Sequence, residues 1–279
     1  MIKMKKLLFI LLMSVAVLSA AAQTAMTYDG WVARSFEALE ADSVAEAVSC
    51  LKEAMRLEPA NPQNAMLLTN LGTLERRLGQ TDEALLAYSS ALMLMPKSVP
   101  LLLSRAALYA ELEQWPKAEE DYTTILYIEP DQEEALYRRG MVRFERGDTL
   151  GARIDFERLV RENTVSSKGR LGIALLLKAA GNYAMAEEMY SQVIKANPNQ
   201  AELYLKRAEV YYLDGKLSKG ISDINRCLEL RPDDGMAYMI RGRLRLAQYD
   251  KQQALADFRR AAELGVEQTL VDEWVKRCK

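Results

Sequence analysis

The sequence contains no histidine among its 279 residues. Because histidine is the commonest general base and metal ligand, its absence excludes the usual serine and cysteine triads and most metal sites. The chain also has no glycine-rich phosphate loop and no cysteine pair at metal-binding spacing. The adjacent acids Glu119 and Glu120 lie on a predicted helix, where their side chains diverge by about 100° and cannot form a catalytic dyad. The sequence therefore predicts a protein that is not an enzyme and holds no metal or cofactor.

An excess of charge of either sign is also missing, since 37 basic residues face 39 acidic ones. A mixed surface of this kind has no general attraction for phosphate backbones. The basic cluster that does occur consists of Arg138, Arg139, Arg143 and Arg146. It is surrounded by acids, namely Glu133, Glu134, Glu145 and Asp148. This pattern favours a self-compensated surface over a nucleic-acid patch, and we expect no nucleic-acid partner.

Long apolar runs are scarce, and the longest, Leu7 to Leu18, is too short to span a bilayer as a helix. Three lysines precede it, and the small residues Ser19 to Ala22 follow it. This order is typical of a secretory signal peptide. We expect residues 1–22 to be a signal peptide cleaved after Ala22, residues 23–27 to be a short leader, and the mature chain to be periplasmic or extracellular without a membrane span. An uncleaved membrane anchor is the alternative.

A regular period is present instead of these features. Prolines recur every 34 residues, and a threonine takes the one missing place: Pro96, Pro130, Thr164, Pro198 and Pro232. A small residue recurs with the same period, except that three extra residues, Pro62 to Asn64, lengthen the first step: Ser35, Gly72, Ala106, Gly140, Ala174, Ala208 and Gly242. Sixteen residues after each of these stands a bulky one: Leu51, Tyr88, Tyr122, Phe156, Tyr190, Ile224 and Phe258. A period near 34 indicates stacked helix-turn-helix units, in which the small residue lets the partner helix approach closely.

These residues make the chain resemble the tetratricopeptide repeat family. The family pattern is best matched by Leu68, Leu71, Gly72, Ala84, Tyr88, Ala91 and Pro96. The resemblance implies an all-α, right-handed superhelical solenoid of about seven repeats. Their expected bounds are 28–61, 65–98, 99–132, 133–166, 167–200, 201–234 and 235–266. We expect residues 267–279 to form a capping helix, with Leu270, Val271, Trp274 and Val275 on its apolar side.

One pair of columns carries opposite charges. Arginines in the first helix of four repeats are each followed sixteen residues later by an aspartate: Arg105 and Asp121, Arg139 and Asp155, Arg207 and Asp223, Arg241 and Asp257. Where the first column holds Leu71 or Ile173, the second holds Ala87 or Met189. With the exception of Arg34, which stands sixteen residues before Cys50, the charges appear and disappear together. This pattern predicts structural ion pairs between the two helices of a repeat. The alternative is a column of four ligand-binding arginines.

The resemblance also implies a concave groove lined by the fifth, ninth and twelfth residues of each repeat. Read in this way, the centre of the groove holds Tyr137, Met141, Phe144, Leu175 and Tyr212. Polar groups are expected at its rim from Arg138, Glu209 and Arg243. Their apolar and aromatic character favours an apolar or aromatic peptide segment as ligand. The alternative is that some of the aliphatic residues are core.

Together these features predict an exported scaffold that binds a peptide or protein partner through the groove. The main alternative is a structural subunit of a larger cell-envelope complex that assembles through its outer or C-terminal helices. The three cysteines, Cys50, Cys227 and Cys278, are an odd number for an oxidising compartment. Cys50 and Cys227 fall in the second helices of the first and sixth repeats, too far apart for a disulfide.

Overall fold

The computed structural model describes residues 26–278 and contains helices but no strand within that range. The predicted signal peptide and the first three residues of the leader lie outside the described residues. The helices of the first four predicted repeats are α1 (Tyr28–Glu40), α2 (Val44–Leu57), α3 (Asn64–Arg77), α4 (Thr81–Leu94), α5 (Val99–Glu111), α6 (Trp115–Ile128), α7 (Glu133–Glu145) and α8 (Thr149–Glu162). Those that follow are α9 (Ser167–Ala179), α10 (Tyr183–Ala196), α11 (Ala201–Leu213), α12 (Leu217–Leu230), α13 (Gly235–Ala247), α14 (Lys251–Glu263) and α15 (Gln268–Arg277).

Odd-numbered and even-numbered helices alternate as the first and second members of helix pairs, so the all-α fold class expected from the sequence is confirmed. The second pair begins with Asn64, one residue earlier than its predicted repeat. The chain divides into two compact units, one ending at Leu108 and the other beginning at Tyr109. Each unit has a core built from buried residues of its stacked helix pairs.

The turn inside each repeat contains a residue with positive φ. Glycine supplies it at Gly79, Gly147, Gly181 and Gly215, with φ between 70° and 83°. At the equivalent places Asp42, Glu113 and Tyr249 adopt φ values of 57°, 55° and 65°. This conformation is unfavourable for residues with a Cβ, so packing of the two helices must hold it in those three repeats. The turn geometry is therefore shared by repeats with and without the glycine.

Close approach of helices explains the small-residue column. In the second unit the ring of Phe156 is completely buried. It lies so close to two first helices that a Cβ on Gly140 or Gly172 would be 2.5 Å or 2.3 Å from a ring carbon. In the first unit, Tyr88 lies in the same way against Gly72. The bulky residue of each pair thus fills the space that the small residue leaves.

At two helix starts, the capping residue stands one position later than the aspartate that follows the turn proline. Asp131 and Asp233 follow the turn prolines and look like capping residues, but the caps are their neighbours. Gln132 Oε1 accepts from the backbone N–H of Ala135, and Asp234 Oδ1 accepts from that of Ala237. Both accept at the third residue after the cap, the position that a helix N-terminus leaves unsatisfied.

The last helix, α15, covers the end of the seventh repeat. Val271 is buried, and Trp274 and Val275 pack against a cluster that includes Met239 and Phe258. Leu270, which we expected on the same apolar side, is 36% exposed. It precedes Val271 on the helix and lies at an open depression lined by the turn before α13 and the turn after α14.

The three cysteines are free thiols, and Cys50 and Cys227 are buried. Burial raises the pKa of all three thiols. Cys227 belongs to the core of the second unit, where it packs as a small apolar residue.

Candidate functional site

A cleft of about 270 Å³ opens between the first helices α7, α9 and α11 in the second unit. We call it the central cleft. Its apolar wall is formed by Tyr137, Met141, Leu171, Leu175 and Leu203, with the ring of Tyr190 at its base. Its polar lining comes from Lys178, Gln200, Glu202 and Lys206.

Helical spacing places these residues on one side of each helix. Tyr137 and Met141 are four residues apart on α7, and Leu171, Leu175 and Lys178 follow at intervals of four and three on α9. All five are partly buried, as expected for side chains at the edge of a core rather than within it. The Tyr137 ring also packs against Phe156, with ring centroids 6.0 Å apart. The cleft wall is thus supported by the core residue behind it.

The tyrosines of the central cleft are neutral at physiological pH. Burial, with a smaller contribution from Glu202, raises the pKa of Tyr137. Burial raises the pKa of Tyr190 as well, with contributions from Glu209 and Tyr137. Lys206 and Glu202 form only a long ion pair of 4.0 Å. The cleft therefore combines neutral aromatic surface with loosely paired charges at its mouth, which suits recognition of a peptide with mixed character.

A second cleft of about 270 Å³, here called the distal cleft, is lined by Glu209, Tyr212, Leu213, Ile240 and Arg243. One ion pair joins the linings of the two clefts: Lys178 Nζ lies 2.8 Å from Glu209 Oε2. What the sequence indicates as one continuous groove is therefore two depressions on either side of a salt bridge.

The predicted groove residues separate accordingly. Tyr137, Met141 and Leu175 line the central cleft, whereas Tyr212, Glu209 and Arg243 line the distal cleft. Phe144 and Arg138 are not among the lining residues of either cleft, and their role in the groove stays a prediction. Phe144 is one turn beyond Met141 on α7 and past the last cleft contact of that helix. Arg138 is exposed and binds Glu134, which also pairs with Lys168 at 2.6 Å.

Tyr190 and Gln200 are cleft residues that the sequence reading did not select. Tyr190 lies on the second helix α10, in the column of bulky residues. It is buried and also belongs to the lining of the central cleft. Gln200 precedes α11 and so falls outside the first-helix positions that were considered.

The charged columns form ion pairs within repeats. Arg139 Nη2 lies 2.6 Å from Asp155 Oδ1, Arg207 Nε 2.7 Å from Asp223 Oδ2, and Arg241 Nη2 2.8 Å from Asp257 Oδ1. The three aspartates are buried. Arg105 belongs to the first unit and Asp121 to the second. Arg139, Arg207 and Arg241 line neither the central cleft nor the distal cleft, which favours the structural interpretation of the column.

These arginines also reach backwards along the chain. The Nη1 group donates to a polar side chain sixteen residues earlier, in the second helix of the preceding repeat. The acceptors are Ser89 for Arg105, Thr123 for Arg139, Ser191 for Arg207 and Asn225 for Arg241, at 2.8–3.2 Å. Each guanidinium that pairs within its own repeat therefore also links two successive repeats, and its acceptors form a third periodic column.

Two further features bear on function. Within residues 26–278, no helix is both long enough and apolar enough to cross a membrane. The same part of the chain brings together no group of three or more acidic or cysteine residues that could hold a metal ion.

Tetratricopeptide repeat models match residues 37–98, 134–163 and 171–226. The chain is similar to the crystal structure of a tetratricopeptide repeat protein from Parabacteroides merdae, with 37% identity and a TM-score of 0.79. The alignment covers 90% of this chain and 98% of that one. The chain therefore belongs to the tetratricopeptide repeat family, and its fold is an α-solenoid of such repeats.

More distant relatives include two proteins with co-chaperone names. DnaJ homolog subfamily C member 7 homolog of Dictyostelium discoideum is 23% identical over 74% of this chain and 41% of its own length. Hsp70-Hsp90 organizing protein 3 of Arabidopsis thaliana is 25% identical over 59% of this chain and 36% of its own length. This chain thus spans less than half of either relative. Tetratricopeptide repeat proteins generally mediate protein–protein interaction.

Proposed function

We propose that this chain is an exported, non-enzymatic adaptor that binds an extended peptide segment of a partner protein, with an aromatic or aliphatic side chain of that segment in the central cleft. The observation that carries the proposal is the composition of that cleft. Tyr137 supplies rigid contact area, while Met141 adapts its shape at low cost. Both are partly buried. Such residues around a concavity are typical of the anchor pockets that dominate binding energy.

The proposal excludes the chaperone-tail specificity of some family members. That specificity uses lysines and asparagines at the fifth and ninth places of the repeats, and neither residue type occupies those places in this sequence. Resemblance to co-chaperones therefore supports an adaptor role in general and not their ligand.

Selection from a displayed library of random peptides, using residues 23–279 as bait, tests the proposal. We expect selected peptides to share an aromatic or large aliphatic residue. Tyr137→Ala should weaken their binding by about 30-fold, which corresponds to a hot spot of about 2 kcal/mol. Tyr127→Ala is the matched control, because Tyr127 is 88% exposed and lines neither cleft. Helical content and melting temperature must be measured for both, since Tyr137 also contacts Phe156.

Two results would contradict the proposal. One is the absence of any selected peptide; the other is equal binding by the Tyr137→Ala and Tyr127→Ala variants.

The alternative function, assembly into a cell-envelope complex through outer helices, is supported by one observation. Leu86, Met93 and Leu94 are 69%, 84% and 58% exposed. They lie on α4, the second helix of the second repeat, and give it an exposed apolar side. If that side is an assembly surface, Leu86→Glu with Met93→Glu should shift a complex recovered from envelope extracts to smaller size while peptide binding is unchanged.

A further inference from the structure

The distal cleft contains an arginine that is held in place by aromatic rings. The guanidinium carbon of Arg243 on α13 lies 4.5 Å from the ring centroid of Tyr212 on α11 and 4.8 Å from that of Trp274 on α15. Planar guanidinium groups stack well on aromatic rings and lose little mobility when they then form hydrogen bonds. Arg243 is thus a fixed positive group at the lining of a cleft.

Arg243 has no carboxylate partner among the described residues. The arginines of the charged columns at positions 139, 207 and 241 each pair with an aspartate, but no described aspartate or glutamate lies within 4.0 Å of the Arg243 guanidinium nitrogens. Its Nε is buried and finds no acceptor in the described part of the chain. Buried polar groups are normally hydrogen-bonded, so the Arg243 guanidinium is a donor group suited to an acceptor from a bound ligand.

The charge around the cleft favours an anion. Glu209, the acid in the lining, is already paired with Lys178 at 2.8 Å. Arg277 brings a second guanidinium to the same indole, with its carbon 4.3 Å from the Trp274 ring centroid. Because the charges of Glu209 and Lys178 neutralise each other, the positive charge of Arg243 stays uncompensated in the cleft lining. The positive charge of Arg277 lies nearby, at the same indole ring.

We propose that the distal cleft is a subsite for a single side-chain carboxylate, from an aspartate or glutamate, in the peptide segment that occupies the central cleft. The inference rests on the proposed function. A carboxylate suits the site better than a phosphate, because one guanidinium matches one negative charge and the two charges of a phosphate would face Glu209. The capping helix α15 therefore takes part in recognition, since its Trp274 positions Arg243.

The partner segment is accordingly one that carries an apolar anchor and, beyond the Lys178–Glu209 pair, an acidic residue. The anchor gives contact area, and the acidic residue fixes the direction in which the segment crosses the clefts. Apolar surface alone gives no such directional preference.

A small-molecule titration tests the subsite without knowledge of the partner. The probes are N-acetylglutamate N-methylamide and its neutral counterpart N-acetylglutamine N-methylamide, followed by nuclear magnetic resonance through the indole N–H of Trp274. We expect the glutamate probe to bind about tenfold more tightly than the glutamine probe. Arg243→Gln should abolish this preference, and Arg243→Lys should retain part of it, because the charge remains but the two-pronged geometry is lost.

Two control variants make the result specific. Arg259→Gln removes one positive charge from an exposed position on α14 and should leave the tenfold preference unchanged. Tyr137→Ala removes the anchor wall of the central cleft and should not alter binding of the glutamate probe. Unaltered melting of the Arg243→Gln variant, measured in parallel, shows that its loss of binding is local.

Equal binding of the two probes, or retention of the preference by Arg243→Gln, would overturn the subsite while leaving peptide binding in the central cleft intact. Conversely, a preference that depends on Arg243, together with failure to select any peptide, would overturn the proposed function and leave the carboxylate subsite standing.

Discussion

Individual residues matter here mainly through charge placed near the core. Asp155 and Asp257 each accept from two arginines: Arg143 Nη1 lies 2.9 Å from Asp155 Oδ2, and Arg245 Nη1 lies 2.7 Å from Asp257 Oδ2. Among residues 26–278, Asp223 accepts from Arg207 alone. These three buried aspartates therefore differ in how much compensation survives when one arginine is removed.

This difference predicts unequal costs for the same substitution. Arg207→Leu should lower the free energy of unfolding by about 3 kcal/mol, because it leaves Asp223 buried without a cation. Arg139→Leu should cost only about 1.5 kcal/mol, since Asp155 keeps its bond to Arg143. Adding Asp223→Ala to Arg207→Leu should recover much of the loss. Urea unfolding followed by circular dichroism measures the free energy of unfolding of the wild type and of the three variants. Equal costs for the two single variants would show that Arg143 does not compensate.

A second residue-scale prediction concerns pH. Burial opposes ionisation of Glu187, but donation from Lys216, Lys219 and Tyr211 outweighs it and lowers the pKa of that carboxyl from 4.5 to about 2. A carboxyl whose pKa is lower in the folded state stabilises the fold above pH 4.5, and this contribution is lost as the pH falls towards 2. Glu187→Gln should therefore be less stable than wild type by about 2 kcal/mol at pH 7, with the difference vanishing near pH 2.

Unfolding curves at intervals from pH 7 to pH 2 test this expectation, with Glu188→Gln as the control at an exposed neighbouring position on the same helix. A difference between Glu187→Gln and wild type that stays constant over that range would mean that ionisation of Glu187 is not the cause.

At the scale of helices, the sequence allowed the repeat to be predicted because the same physical requirement acts every 34 residues. A small residue must stand where a ring such as Phe156 packs, and a turn must end each first helix. The charged columns were predictable for the same reason, because outside the first repeat a repeat that has the arginine also has the aspartate, and a repeat with Leu71 or Ile173 instead has no aspartate. The third column, which receives Nη1 of the arginines, was missed because serine, threonine and asparagine share no obvious pattern.

The clefts were harder to predict than the repeats. First-helix register indicates the side on which Tyr137 and Tyr212 lie, but it does not show how neighbouring helices close the space between them. The Lys178–Glu209 pair that separates the clefts joins two different repeats. Tyr190 reaches the central cleft from a second helix, and Phe144 falls outside it. Such details depend on contacts between repeats, which a period within one repeat cannot specify.

The capping helix α15 gives an element-scale prediction with a matched control. Val271 is 2% exposed and packs on the cluster that includes Phe258, whereas the adjacent Leu270 is 36% exposed. Val271→Asp should lower the free energy of unfolding by about 3 kcal/mol, because it places a charge without a partner in that core. Leu270→Asp should change it by no more than about 0.5 kcal/mol, as is usual for surface substitutions. Similar losses in the two variants would mean that α15 is not seated as described.

For the whole molecule, the central question is where the repeats operate. We expect the full-length chain, expressed in a Gram-negative host, to be recovered from the periplasm with an intact mass that begins at Gln23. The reason is the order of three lysines, an apolar run and small residues at positions 3–22, which is typical of a secretory signal peptide. Leu11→Arg interrupts the apolar run and should keep the chain in the cytoplasm with Met1 or Ile2 at its start. Leu86→Arg, which adds the same charge on the exposed side of α4, should not affect export. Recovery of the unaltered chain from membranes with residues 1–22 still attached would instead identify that segment as an anchor, and the adaptor would then act while tethered to the membrane.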